Sequence, residues 1–407
     1  MVGLLWIAYF TNYIDRQVVF SIFPSLRQEF GFSSAQLGLV GTVFTWVYSL
    51  CMPISGRAAD LVNRERMIVV SLVLWSLCTL GTGMSSSLTT FLLWRAAMGV
   101  TESMYVPAAL SLIGSVLPAS SKSRGLAVHM TAQIAGIAAG GWFGGWMADT
   151  LGWRTGFAWL ACAGMAYAVI LGATFARLPR LDKPRGNSEG SRPLDLFRSR
   201  CYIALGVAFF MFCIMLWIQY AWLANHMFER FGLSMSQAGF MSMMYLQAGS
   251  AAGVLIGGFL GDHVSQRYPP GRFYVAAAGL ILSAPFSYAA FSASSVTGTV
   301  SAACCFGLFA GLMMSNIFAS AYDVVARQNY GLSAGFLNFA GGLAGGANIL
   351  AAGLWKDTLG IALLTAVSAA AGMLCGVLLI IVVRRRFATE AQSTIGGDQN
   401  FQKACRR

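Results

Sequence analysis

Asp149-Thr150-Leu151-Gly152 returns letter for letter as Asp357-Thr358-Leu359-Gly360, 208 residues further along the chain. It is one of four matches between the two halves. Phe30, Gly31, Ser33, Gln36 and Gly38 return at a constant offset of 201 as Phe231, Gly232, Ser234, Gln237 and Gly239. Gly56 and Asp60 return as Gly258 and Asp262, and Gly136, Gly140 and Gly141 return as Gly341, Gly345 and Gly346. Matches in one order, at offsets from 201 to 208, do not follow from shared hydrophobicity alone, so the chain reads as an internal repeat.

Composition says what is repeated. Of the 407 residues 57% are hydrophobic and 10% charged, where a soluble domain carries about 25% charged residues. Apolar runs of about 20 residues, enough to cross a bilayer as a helix, recur without the period-2 alternation of barrel strands. Twelve are expected, near 2–24, 35–56, 67–86, 89–117, 125–148, 155–176, 201–226, 236–261, 273–293, 297–321, 333–355 and 361–383. The expected fold is an all-α membrane protein with twelve transmembrane helices in two pseudo-symmetric six-helix bundles. Residues 1–176 form the N-terminal bundle and 201–383 the C-terminal one; 177–200, rich in Arg, Pro, Gly and Ser, read as a cytoplasmic linker and 384–407 as a basic cytoplasmic tail. An even number of helices per half keeps the halves parallel, as in transporters that rock about a midplane site.

The net charge of +12 is a matter of topology. With the N-terminus inside, four of the 27 Lys and Arg lie outside (Arg27, Arg154, Arg230, Lys356), two lie within helices (Arg16, Arg95) and the other 21 face inward. The positive-inside rule then places both termini in the cytoplasm, for a multi-pass protein of the inner or plasma membrane. No basic patch is interleaved with aromatics in the manner of a nucleic-acid surface, and a monomer in the lipid bilayer is expected. The nine Cys lie mostly inside helices without paired spacing, so they read as packing residues rather than disulfides or metal ligands. Three His and few intramembrane acids assemble no triad, zinc site or hydrolase pair, so no enzyme, cofactor or metal is implied. The glycine runs 136–145 and 341–346 lack the strand and the Lys-Ser or Lys-Thr of a nucleotide loop, and read as close helix packing at the seam between halves.

Against this apolar background stand Asp15 and Arg16 in the first span and Arg95 and Glu102 in the fourth. Ionisable residues at membrane depth are costly and mark function by default. Arg95 and Glu102 are seven residues apart, about two turns on one helical face, so both can look into one cavity. A carboxylate beside an Arg that a substrate can occupy has its charge state set by that occupancy, a physical basis for proton coupling. A static ion-pair network fixing the two helices is the alternative.

Gly56-x-x-x-Asp60 followed by Asn63-Arg64-Glu65-Arg66 resembles the loop signature of the major facilitator superfamily, with a reduced copy at Gly258 and Asp262. The resemblance implies a conformational latch of Gly56, Asp60, Arg64, Arg66 and Asp262, with the Gly letting helices approach. Asp60 is followed by Leu61 where the family commonly has Arg, which leaves its basic partner open. Within the superfamily the chain resembles the anion:cation symporters, through Asn12-Tyr13-Ile14-Asp15-Arg16, Phe44, Trp46, Tyr48 and Pro53, Trp75-Ser76, Arg95, Gly99 and Glu102, Gly152-Trp153-Arg154, Trp222-Leu223, and Gly331, Gly335 and Asn338. Ala224 stands where that pattern often has Pro, and the usual Gly-Pro step of the fifth helix is absent. The likeness implies symport of a small organic anion, a sugar acid or other monocarboxylate, with protons. Arg16 would grip the substrate carboxylate, Asp15 and Glu102 would bind protons, and Arg95 would bias Glu102. Gln133 and Asn338, at equivalent places in the repeat, offer amides suited to sugar hydroxyls or to bonds between helices. Tyr48, Tyr105, Gln219, Trp222 and Asn316 are candidates for the same cavity, or packing residues. A spinster-like lysolipid transporter, which shares the Asp-Arg pair and the Arg-Glu spacing, and a non-transporting membrane sensor are the alternatives.

Overall fold

The computed structural model describes residues 1–117, 119–177, 196–326 and 329–404, without the side chains of Asp60, 119–124, Ala127 and 391–404. Most of the expected linker, 178–195, lies outside the described residues. Every regular element within them is an α-helix: α1 (Val2–Ser21), α2 (Phe23–Phe30), α3 (Ser34–Leu61), α4 (Arg64–Gly83), α5 (Leu88–Ser103), α6 (Tyr105–Val116), α7 (Ala119–Thr150) and α8 (Trp153–Arg177), then α9 (Arg200–Phe231), α10 (Met235–Arg267), α11 (Gly271–Ser292), α12 (Val296–Tyr322), α13 (Tyr330–Leu359) and α14 (Ile361–Ala404). Ten segments are long and apolar enough to cross a membrane. The 20-residue α1 and 32-residue α7 complete the twelve; α1 is diluted by its buried polar residues and α7 by its glycines.

Two expected spans are broken by a proline, the first near its end and the fourth in its middle. Pro24 at the start of α2 cannot donate to the preceding turn, and the chain turns at Ile22 between α1 and α2. Pro107, the third residue of α6, withholds a bond from the Ser103 carbonyl, and the fourth span divides at Met104, just past Glu102. The helix of the last span does not stop at 383 but continues to Ala404. Phe387 packs edge-on to Phe273, with centroids 5.7 Å apart, and Glu390 accepts bonds from Ser199 Oγ (2.7 Å) and the Arg200 and Cys201 amides (both 3.1 Å), which holds the extension against the start of α9.

The repeat has a backbone explanation. Ser33 and Gln36 close a capping box at the start of α3, and Ser234 and Gln237 exchange the same two bonds at the start of α10. Among the described residues, those with positive φ are Gly31 (66°), Gly232 (63°), Gly152 (79°) and Gly360 (78°), two pairs in nearly identical turns. Only glycine adopts such angles without strain. All four turns lie at one end of the helices, called here the glycine-turn end.

Glycines also set the helix contacts. A Cβ on Gly136 would stand 2.7 Å from the Phe10 carbonyl oxygen and Tyr13 Cβ, and one on Gly144 2.9 Å from the Val18 carbonyl oxygen, so α7 lies directly on α1. On the neighbouring face, Gly141 meets Met243 of α10, and its repeat counterpart Gly346 meets Trp46 of α3. The glycine runs therefore serve contacts within a half as well as contacts between halves. Gly56 requires a correction, because a Cβ there would meet nothing within 4 Å, nor would one on Gly258, so neither permits a close approach.

The chain divides into two compact units that do not coincide with the sequence halves. One comprises Met1–Gly186, Trp217–Gln247 and Gly345–Ile361; the other comprises Asn187–Leu216, Ala248–Ala344 and Ala362–Arg407. The first thus includes the glycine-turn ends of α9, α10 and α13, held to α1–α8 by polar contacts. Glu229 accepts from Arg27 (2.7 Å) and Lys356 (2.9 Å), Asp149 accepts from the Ser236 amide (2.7 Å), and Thr42 donates to the Gly346 carbonyl (2.8 Å). In the second unit, Arg272 bridges Asp262 (2.8 Å) and Asp323 (3.0 Å).

Replacing Gly136 by Ala should lower the melting temperature of the purified protein, by an overpacking cost of about 1–3 kcal/mol. The same change at Gly56 should leave it unchanged or raise it, since Ala is the better helix former.

Candidate functional site

The four ionisable residues of the expected charge set come together inside the first unit. Asp15 is 4% exposed, Arg16 8%, and Arg95 and Glu102 are fully buried. Two packing features deliver them. The α7 glycines press α1 inward, and Gly99, lying between Arg95 and Glu102 on α5, lets that helix sit on α3: a Cβ there would stand 2.9 Å from the Phe44 carbonyl oxygen and 3.0 Å from the Tyr48 nitrogen. Arg95 and Glu102 are thereby set on either side of the Phe44–Tyr48 stretch of α3.

Arg16 Nε donates to Glu102 Oε2 at 2.7 Å, the one ion pair in this cluster among the described residues. The guanidinium is also walled by aromatic rings, with its carbon 4.1 Å from the Tyr48 centroid, 4.8 Å from Tyr13 and 5.3 Å from Phe44. Arg95 stacks on the same Phe44 ring at 4.4 Å and donates only to the weak acceptor Met98 Sδ, at 3.2 Å. The acid expected to be biased by Arg95 takes Arg16 as its ion-pair partner, and Arg95 acts on it as a second, weaker charge. Asp15 points away from its sequence neighbour Arg16, as 100° per residue requires, and has Thr79, Glu102 and Arg95 about it.

The cluster is not satisfied within the protein. Buried polar atoms without a hydrogen-bond partner include Asp15 Oδ1, Glu102 Oε1, Arg16 Nη2, Arg95 Nε and Nη2, and both amide atoms of Asn12. Each such atom costs about 1–3 kcal/mol. A purely structural network would be expected to close on itself; this one keeps donors and acceptors in reserve beside an ion pair.

The remaining expected site residues divide. Tyr48 joins the cluster as a ring under Arg16. Tyr105 does not: it is fully buried against Tyr9, Trp75 and His129, and its hydroxyl is committed to the Leu5 carbonyl at 2.5 Å, which makes it a packing residue. Trp222 is buried at the glycine-turn end, donating to the Ile349 carbonyl (3.3 Å) with Lys356 over its ring at 5.0 Å. Asn316 is likewise spent on helix packing, donating to the carbonyls of Gly257 (2.8 Å) and Leu312 (3.0 Å) in the second unit. Gln133 is half-buried on α7 and Gln219 buried on α9. Asn338 is exposed on α13, bonded to the Ala334 carbonyl at 2.9 Å.

Of the expected latch, the Asp60 side chain lies outside the described residues. Arg64 donates to the Ser111 carbonyl at 3.3 Å, and Arg66 is exposed. Asp262 takes Arg272 as its partner, ten residues on. Burial pushes the Asp323 carboxyl up, with Arg272 opposing it. At the glycine-turn end, burial raises the Glu29 carboxyl, but bonds from Arg154 and Trp153 outweigh it and hold the group below its usual 4.5.

Asn12, Tyr13 and Phe44, to which the sequence alone assigns no role, lie at the cluster. A signal was available, since Asn12 and Arg16 are four residues apart on α1, as are Phe44 and Tyr48 on α3.

A sequence profile of the Major Facilitator Superfamily matches residues 5–347 and 205–403. The probable sulfoacetate transporter of Cupriavidus necator is 24% identical over 378 residues, 85% of this chain and 84% of its own. The D-galactonate transporter of Escherichia coli is 24% identical over 369 residues, 84% of this chain and 85% of its own. The fold matches the crystal structure of a bacterial homolog of the human lysosomal transporter spinster, in an inward-facing and unoccupied conformation, with a TM-score of 0.76 over 97% of each chain at 19% identity.

Breaking the Arg16–Glu102 pair from one side should cost more than replacing both partners. Arg16→Met alone should destabilise the protein by about 3–5 kcal/mol, whereas Arg16→Met with Glu102→Leu should recover most of that loss. Thermal melts of the three proteins check this, and additive losses would contradict it.

Proposed function

The chain belongs to the Major Facilitator Superfamily, and we propose that it is a secondary transporter moving a small organic anion, a sugar acid or other monocarboxylate, in symport with protons by alternating access. The observation that carries this reading is the buried Arg16–Glu102 pair. An incoming carboxylate that grips Arg16 at two points, through Nε and the unpartnered Nη2, displaces Glu102 from Nε, and a displaced carboxylate in that apolar surrounding is favoured in its neutral form. Anion binding and proton binding are thereby tied to one guanidinium. Arg16 binds the substrate carboxylate, Glu102 and Asp15 carry protons, and Arg95 supplies the positive charge that keeps Asp15 and Glu102 from being stranded together as anions.

The relatives named for sulfoacetate and D-galactonate support a small anion as cargo. The contacts at the glycine-turn end support alternating access. Under the positive-inside assignment that end faces outward, with both termini in the cytoplasm and the chain in the inner or plasma membrane. Glu229, Arg27, Lys356 and Asp149 then form an outer seal that must part for the site to open outward. The resemblance to spinster-like lysolipid transporters, through the Asp15-Arg16 pair and the Arg95-Glu102 spacing, keeps a lipid cargo as the second reading.

Proteoliposome uptake of D-galactonate and sulfoacetate, with lysophospholipid as competitor, tests the proposal. Arg16→Ala should abolish uptake in a protein that still folds. Glu102→Gln should lose accumulation driven by a pH gradient while retaining exchange of labelled for unlabelled substrate. Competition by lysophospholipid alone would favour the lipid reading, and gradient-driven uptake at the normal rate in Glu102→Gln would remove that residue from coupling.

A further inference from the structure

Asn12 has no assigned role, yet it is fully buried, with neither its amide oxygen nor its amide nitrogen hydrogen-bonded. It lies one helical turn before Arg16 on the same face of α1. Its amide reaches Glu102 only in a contact too weak to satisfy either of its polar atoms. Leaving both ends of a buried amide open is expensive, so a group that satisfies both has much to gain.

We propose that Asn12 reads a hydroxyl on the carbon next to the substrate carboxylate, so that the preferred cargo is a 2-hydroxy acid. The proposal rests on the reading of Arg16 as the carboxylate-binding residue. Once a carboxylate replaces Glu102 on Arg16, Nε and the unpartnered Nη2 can hold its two oxygens as a fork. What remains beside it is an amide donor and an amide acceptor one turn along, together with Glu102 Oε1. A hydroxyl is the smallest group that both accepts and donates one bond, and on the adjacent carbon it is held at a fixed distance from the carboxylate. It can accept from Asn12 Nδ2 while donating to Glu102 Oε1, or donate to Asn12 Oδ1. A 2-deoxy acid occupies Arg16 equally well but leaves the amide open in a site from which water has been displaced. Rejection of analogues that lack one hydroxyl is strong where the site is built to bond that hydroxyl.

The geometry also sets Asn12 apart from Asn316 and Asn338. Asn316 has spent its donor on helix packing, and Asn338 bonds the preceding turn of its own helix. The matching position of the second half carries no amide. Gly341 and Gly345 contact Cys213 and Trp217 where Gly136 and Gly140 contact Tyr13 and Gln17, an offset of 200 that sets Phe212 opposite Asn12.

The test is a ligand-dependent melting titration of the full-length protein with two pairs of probes, D-galactonate against 2-deoxy-D-galactonate and D-gluconate against 2-deoxy-D-gluconate. Wild type should bind the hydroxylated member of a pair at least about tenfold more tightly, a hydrogen-bond-sized preference. In Asn12→Ala the ratio should fall to within about twofold, with the 2-deoxy affinity retained; Asn12→Ser, which keeps a hydroxyl, should hold an intermediate ratio. Equal affinity for both members in wild type overturns the proposal whether or not the variants fold, as does an unchanged ratio in Asn12→Ala. Binding of carboxylates without a 2-hydroxyl preference sinks this inference alone, whereas no carboxylate binding at all sinks the transport reading beneath it.

Discussion

The structure turns on one buried ion pair, Arg16 to Glu102 at 2.7 Å. Two ionised groups removed from water cost several kcal/mol each and are repaid only by good geometry and by further bonds to their remaining atoms. Here the geometry is good and the further bonds are missing. Arg16 Nη2 and Glu102 Oε1 stay unpartnered, and the cation is stabilised instead by the faces of Tyr13, Phe44 and Tyr48. Ring faces hold a guanidinium without consuming its donors. Such a cation is retained at membrane depth while its N–H groups stay available to an incoming anion.

Much of the packing in the first half brings this pair together. Glycines on α7 admit α1, and Gly99 admits α5 to α3, each by letting backbone meet backbone at distances that a side chain would forbid. The second half repeats the scaffold and omits the charges. With α9 matched to α1 at an offset of 200, Asp15 and Arg16 correspond to Met215 and Leu216, both buried. A duplicated frame has thus been given unequal tasks, with the expensive chemistry confined to one bundle. Under the transport proposal the division is workable, since two matching frames can rock about a site whose charges come from one of them.

The number and order of the spans were legible in the sequence because a bilayer imposes a length and an apolar composition on every segment that crosses it. The repeat was legible too, and the structure gives it a cause in paired capping boxes and paired left-handed glycines, local requirements that hold the same letters in place twice. The charge set was visible because Asp, Glu and Arg stand out against hydrocarbon. Which acid meets which Arg was not, since pairing depends on helix rotation and on the breaks at Ile22 and Met104, and a hydrophobic run does not fix these. The uncharged candidates fared less evenly for a related reason. Tyr105, Trp222 and Asn316 are polar letters whose hydrogen-bonding groups are satisfied by backbone carbonyls, and letters alone do not say which carbonyls lie nearby.

The central claim is that a substrate anion and Glu102 compete for a single guanidinium, so that anion binding and protonation of Glu102 go together. It is tested most directly by measuring proton uptake when D-galactonate is added to the purified protein in weakly buffered detergent solution. The account predicts that wild type takes up protons as the anion binds, because Glu102 loses its partner, and that Glu102→Gln binds the anion with less or no uptake. Saturating anion binding to wild type without any change in bound protons would contradict it.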